Sequence, residues 1–140
     1  MFDGRYIFSQ ITNFIPRRNI ETCIERYGGN KKVTSLTCRD QFLSLMFGQL
    51  TGLQSLRGIA TCLNAHKNQF YHLGFRGDAF VLSTLARANQ FRNWRIWRDF
   101  TEHLIKKAQR LYAKDNDFSI ELKNSVYVLD STIIDLCLAT

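Results

Sequence analysis

TCRDQFLSLMFGQLTGLQSLRGIATCLNA, residues 37–65, decides the fold class. Thr37 followed three residues on by Asp40 has the form of a capping box. Leu43, Met46, Phe47 and Leu50 then return at helical spacing, with Phe42 and Leu45 widening the apolar face. This pattern predicts the central buried helix of the chain. Thr51, Gly52, Leu53 and Gln54 make a turn, and Ser55 caps a second helix whose Leu56, Ile59, Ala60 and Leu63 repeat the spacing. Two helices joined by four residues with a glycine match the helix-turn-helix outline, which any helical hairpin in a bundle shares. The expected class is mainly α, a helical bundle with helix-turn-helix-like helices.

Working outward, Ile7, Ile11, Phe14 and Ile15 predict an earlier helix that Pro16 ends. Asn19 can cap the next, with Ile20, Cys23, Ile24 and Tyr27 as its stripe and Gly28-Gly29 as its C-cap. Two glycines without the rest of a phosphate-binding motif do not make a nucleotide loop. Residues 66–82 carry Gly74, Gly77 and the aromatics Phe70, Tyr71, Phe75 and Phe80, which reads as an irregular but packed connector. Ser83 then caps a short helix from Thr84 to about Phe91. Leu82, Leu85 and Ala86 face inward, and Arg87, Asn89, Gln90 and Arg92 face outward. Those outward types are the ones that read base edges, although a solvated polar face has the same composition. The longest helix runs over residues 94–112 with Trp97, Phe100, Leu104, Ala108 and Leu111 on one stripe, and Arg95, Arg98, Lys106, Lys107 and Arg110 off it.

Residues 113–124 are polar and mark a boundary. Beyond it, Val126, Tyr127, Val128 and Leu129 read as a strand apolar on both faces, and Asp130 stands at its end. A carboxylate there either caps the turn continued by Ser131 and Thr132 or coordinates a metal. The resulting division is a helical domain over 1–114, a linker over 115–124 and a strand stub over 125–140.

Composition supports one ordinary domain with a real core: 140 residues, 45% apolar and 13% aromatic. The net charge of +7 is uneven, since residues 1–114 hold 18 basic against 7 acidic residues and 115–140 hold 1 against 5. The first part is a candidate polyanion binder. Cys23, Cys38, Cys62 and Cys137 include no CxxC pair and read as reduced core residues; Cys62, His66 and His72 lack the ligand count of a structural zinc site. No apolar span of membrane length and no signal peptide is apparent, so a cytoplasmic protein without membrane partners is expected.

Several long segments add a resemblance. FSQITNFIPRRNIE, YGGNKKVTSLTCRDQFLSLMFGQLTG, SLRGIATCLNAHKNQFYHLGFRG, STLARAN, NWRIWRDF and YVLDSTIIDLCL closely resemble the N-terminal part of bacterial insertion-sequence transposases, of the insertion-sequence-four family of DDE transposases. The resemblance implies a helical N-terminal region that contacts DNA, followed by a ribonuclease H-like catalytic domain. It also implies that Asp130, in the DST motif, is the first catalytic aspartate and a Mg²⁺ ligand in the intact domain. There, two metal ions assist in-line attack on a phosphodiester. The implied partner is the double-stranded DNA of the element's terminal inverted repeats, in a nucleoid-associated setting, with a homodimer or a full-length transposase as a further partner.

By residue type and charge, Arg17, Arg18, Lys31, Lys32, Arg95, Arg98, Lys106 and Lys107 of such a DNA-binding region are expected to contact phosphates, and Thr84, Arg87, Asn89, Gln90 and Arg92 to supply readout. The alternative is a helical structural or dimerisation module with no DNA readout of its own. The family's second aspartate and its glutamate lie beyond Thr140, which implies a chain truncated just after its first catalytic residue. Asp135 is no stand-in, because five residues along a regular strand put it on the opposite face. The chain alone is therefore expected to need no cofactor and to leave DNA carrying the element's ends uncut in Mg²⁺ or Mn²⁺. Nicking that disappears in Asp130→Ala is the opposite outcome.

Overall fold

The computed structural model describes residues 6–77 and 79–112. Among them run seven α-helices: α1 (Ile7–Asn13), α2 (Arg17–Arg26), α3 (Cys38–Leu50), α4 (Leu56–Ala65), α5 (Phe70–Leu73), α6 (Leu82–Phe91) and α7 (Arg95–Tyr112), with a 3-10 turn at Lys67–Gln69 leading into α5. The mainly α class holds for these residues. The expected linker and strand stub, with Asp130 and Asp135, lie outside them.

Local chemistry explains three of the helix ends. Thr37 Oγ1 accepts from the Asp40 N–H at 3.1 Å and donates to the Asp40 carboxylate at 2.7 Å. The capping box therefore forms with the acid meeting the hydroxyl. Ser55 accepts from the Gly58 N–H at 3.0 Å. After α2, Gly28 adopts φ +60°, and the Gly29 N–H reaches back to the Ile24 carbonyl while the Gly28 N–H bonds to Glu25. This is the Schellman arrangement that a left-handed glycine permits.

Two expected caps are corrected. Pro16 is the N-cap of α2, so Asn19 lies inside the first turn; a residue with fixed φ and no N–H starts a helix as readily as it stops one. Val81 is the N-cap of α6, which has no side-chain cap, so Ser83 is also within the first turn. Burial of Leu85 holds that helix in place of a cap.

The helices pack around two apolar clusters. In the larger, α1, α3, α4, α5 and α6 surround Leu43, Leu63, Phe70 and Leu85, and the Phe70, Phe75 and Phe80 rings meet with centroids 5.0 to 5.4 Å apart. The connector is thus packed as expected, except that Tyr71 points to solvent. In the smaller cluster, α7 lies along α2, and Ile20, Cys23, Ile24, Ile96 and Phe100 enclose Cys38 at the start of α3. Phe42 belongs to both, meeting Phe100 edge-on at 5.4 Å. Burial pushes the Cys23 and Cys38 thiols up, so both stay protonated at neutral pH.

Three stripes differ from expectation. On α1, Ile7 and Phe14 are 76% and 77% exposed and Phe8 is the buried anchor, stacked on Phe75 and edge-on to Phe47. On α7, Ile96 and Asp99 share the buried positions with Phe100, whereas Leu111 is exposed. Leu50, at the end of α3, is likewise exposed. An apolar face more than 100° wide leaves the helix phase open by one residue, and the neighbouring helices decide it.

Two polar arrangements hold irregular or charged segments. The Asn64 side chain donates to the Phe80 carbonyl at 2.7 Å and accepts from the Phe80 N–H at 2.8 Å, replacing the strand or helix partner that the connector lacks. Asp99 accepts from the Tyr27 hydroxyl at 2.7 Å, from Arg26 at 3.0 Å and from both Nε and Nη2 of Arg98 at 3.0 and 2.8 Å. These donors, Tyr27 first and Arg98 next, lower the Asp99 carboxyl from its ordinary 3.8 to about 2.

Asn64→Ala strips both polar groups of Phe80 of their partner and should destabilise the chain by about 2 kcal/mol in urea unfolding; an unchanged midpoint would refute that role. Asp99→Asn tests the second arrangement. A carboxyl with a depressed folded pKa contributes fully above its unfolded value and loses that contribution as pH falls through the folded one. The gap in Tm between wild type and Asp99→Asn should therefore be full above pH 3.8 and close toward about pH 2. A gap that is the same at both ends counts against it.

Candidate nucleic-acid interface

The loop between α2 and α3 is short of apolar residues but well pinned. After the Gly28-Gly29 turn, the Lys31 N–H bonds to the Gly28 carbonyl at 2.9 Å and the Val33 N–H to Asn30 at 3.2 Å. The Asn30 side chain accepts from the Cys38 N–H at 2.8 Å, tying the loop to the first turn of α3. Lys32 takes φ +60°, a conformation uncommon outside glycine. Lys31 and Lys32 are both left exposed on this pinned backbone.

Facing the loop is α6. Thr84, Arg87, Ala88 and Phe91, at i, i+3, i+4 and i+7, share one side of the helix and form one wall of a groove of about 640 Å³. The other wall is the stretch from Tyr27 to Leu36. Lys31, Lys32, Arg87 and Arg92 bring four cationic side chains to this groove, and among the described residues no carboxylate lines it. Among the described residues, Lys31, Lys32 and Arg87 form no ion pair. Positive charge in a concave, partly desolvated setting focuses potential and favours an anionic ligand.

Arg92 has a different task. Its Nη1 donates to the Thr37 carbonyl at 2.9 Å and to Gln41 Oε1 at 2.7 Å, and its Nη2 donates to the Leu36 carbonyl. Gln41 in turn donates to Asn89 Oδ1. The guanidinium therefore fastens the two walls together. Burial lowers its pKa, with Cys38 and Asp40 acting in the opposite sense. Asn89 is exposed but engaged with Gln41, and Gln90 is exposed and not among the residues that line the groove.

Five of the thirteen residues expected to meet DNA thus converge: Lys31, Lys32, Thr84, Arg87 and Arg92. The others are spread. Arg17 and Arg18 lie in the first turn of α2, where Arg17 is close enough to Arg39 to lower its pKa, after burial and together with Arg76. Arg95 and Arg98 hold their guanidinium carbons 5.5 and 5.3 Å from the Trp94 ring centre, and Arg98 is also bound to Asp99. Lys106 is exposed on α7, and Lys107 donates to the Phe14 carbonyl at 2.8 Å. Of the helix-turn-helix-like pair, neither α3 nor α4 lines the groove.

Sequence reasoning missed Phe91, which is 73% exposed on the groove wall, and took Gly28-Gly29 only as a stop signal. The 84, 87, 88, 91 spacing was the available sign. Among the described residues no three His, Cys, Asp or Glu side chains come together to hold a metal; His66 Nδ1 instead lies 2.9 Å from the Cys62 carbonyl oxygen. Among the same residues no helix is long and apolar enough to cross a membrane.

Comparison with known proteins places the first part of this architecture. A family model described as "Domain of unknown function (DUF4372)" matches residues 3–76, which take in α1 to α5 and the loop wall of the groove. No curated protein and no solved structure matches the chain. Because the matched residues make up more than half of the 140, the chain belongs to the DUF4372 family.

Proposed function

We propose that this chain is the N-terminal region of a DDE transposase of the insertion-sequence-four type and that its helical domain binds the DNA at the element's ends. The observation that carries the binding half is the groove: four cations from two separate segments and no carboxylate among its lining residues. Phosphate contacts of this kind supply affinity and orientation, with release of condensed counterions as the driving term. The resemblance of the quoted segments supports the transposase half, and the DST motif assigns Asp130 to Mg²⁺ in a complete catalytic domain. The metal there supplies activation of the attacking oxygen and stabilisation of the leaving one. In this chain the residues of the helical domain hold and orient DNA and leave bond cleavage to that domain.

A second reading rests on a specific observation. Ile7 on α1, Phe14 just after it and Leu111 on α7 are exposed by 76%, 77% and 65%, apolar side chains that suit a dimerisation module. Light scattering with and without DNA separates the two. A dimer indifferent to DNA favours the second reading.

Fluorescence anisotropy with a duplex bearing the terminal inverted repeat tests the first. Affinity should fall steeply with salt, and the Lys31→Ala, Lys32→Ala, Arg87→Ala triple variant should bind more weakly and lower the log–log salt slope by about three. An affinity unchanged between low and moderate salt removes the phosphate-contact reading.

A further inference from the structure

Phe91 is the one large apolar side chain that the groove holds out to solvent, 73% exposed on the wall formed by α6. Among the described residues its ring meets no other ring and no cation. Trp94, three residues on, is unlike it: Arg95 and Arg98 already face that ring at 5.5 and 5.3 Å. Tyr27, the groove's other aromatic, is anchored through its hydroxyl to Asp99. Arg87 stands one turn before Phe91 on the same wall, with Lys31 and Lys32 across the groove.

A phosphodiester backbone gains nothing from an apolar ring, whereas an unpaired base has a π-face that stacks on one. Cations that follow the backbone beside an aromatic that receives the base are the ingredients of single-strand binding. Shape points the same way. A helix that reads a duplex has to project into a major groove about 12 Å wide. The Arg87 and Phe91 side of α6 is instead one wall of a groove whose other wall is the 28–36 loop. Its volume of about 640 Å³ has room for an unpaired nucleotide or two beside the phosphates that the cations hold.

We infer that the groove between α6 and the 28–36 loop takes unpaired nucleotides of DNA, a frayed or overhanging strand, with a base stacked on Phe91 and its flanking phosphates held by Lys31, Lys32 and Arg87. The inference rests on the DNA-binding reading above and adds to it an unpaired base beside the bound phosphates at this site.

The test is anisotropy of the whole chain with three fluorescein-labelled DNAs of matched length: a blunt duplex, the same duplex with a short 3′ overhang, and a single strand. Wild type should bind the overhang and the single strand about ten-fold more tightly than the blunt duplex, and Phe91→Ala should abolish that difference. Phe91→Trp should preserve it. Because Phe91 is exposed, circular dichroism should show the same fold and Tm for all three proteins. Equal affinity of wild type for all three DNAs overturns the inference, as does a Phe91→Ala effect that is absent or the same on every probe. Salt-sensitive binding of all probes without preference overturns this inference alone. If no probe is bound, the DNA-binding reading falls and takes the inference with it.

Discussion

The Arg92 guanidinium is the interaction on which the arrangement of the groove depends. It draws together two carbonyls at the end of the α2–α3 loop, the Gln41 amide on α3 and, through that amide, Asn89 on α6. A half-buried cation is costly without partners, and three oxygen acceptors offset that cost here. The geometry is specific to arginine, since a lysine has no planar fork to satisfy several acceptors lying in different directions. Both walls are anchored to one group, and among the described residues Lys31, Lys32 and Arg87 have no ion-pair partners of their own.

Around that tie the two apolar clusters divide the labour. The larger one, rich in phenylalanine, fixes α3, α4 and α6 to one another, with α3 and α4 closest at Gly48, where an added Cβ would lie 2.7 Å from Ile59 Cγ1. The smaller one seats α7 along α2 and closes over Cys38, directly behind the loop that forms the groove. Gly29 belongs to the same contact: a Cβ there would lie 2.6 Å from Ile96 and 2.7 Å from Cys38. The loop can lie this close to α7 because that residue has no side chain. Phe42, common to both clusters, couples the two halves, so strain in one is felt in the other.

The family match adds a boundary that the fold does not respect. It ends at residue 76, whereas the groove takes one wall from inside the match and the other, α6, from beyond it. The helical body is built across that limit, through Asn64 and Phe80 and through Gln41 and Arg92. The matched segment by itself therefore lacks Arg87, Phe91 and the Arg92 tie.

What the sequence determined alone was local. The capping box at Thr37, the Ser55 cap, the glycine stop after α2 and the helical character of residues 37–65 follow from interactions within four residues, which hold whatever surrounds them. The basic surplus of the helical part was equally legible, as a count. Tertiary structure decided which face of each helix turned inward: Phe8 instead of Ile7 on α1, Ile96 and Asp99 beside Phe100 on α7. It also sorted the cations. Arg87 and Arg92 are five residues apart on similar polar ground, yet one is free in the groove and the other is bound to Leu36, Thr37 and Gln41, more than 50 residues away. Charge and spacing cannot make that distinction, because an arginine becomes structural or available according to the acceptors that distant segments bring to it, and those positions exist only once the chain has folded.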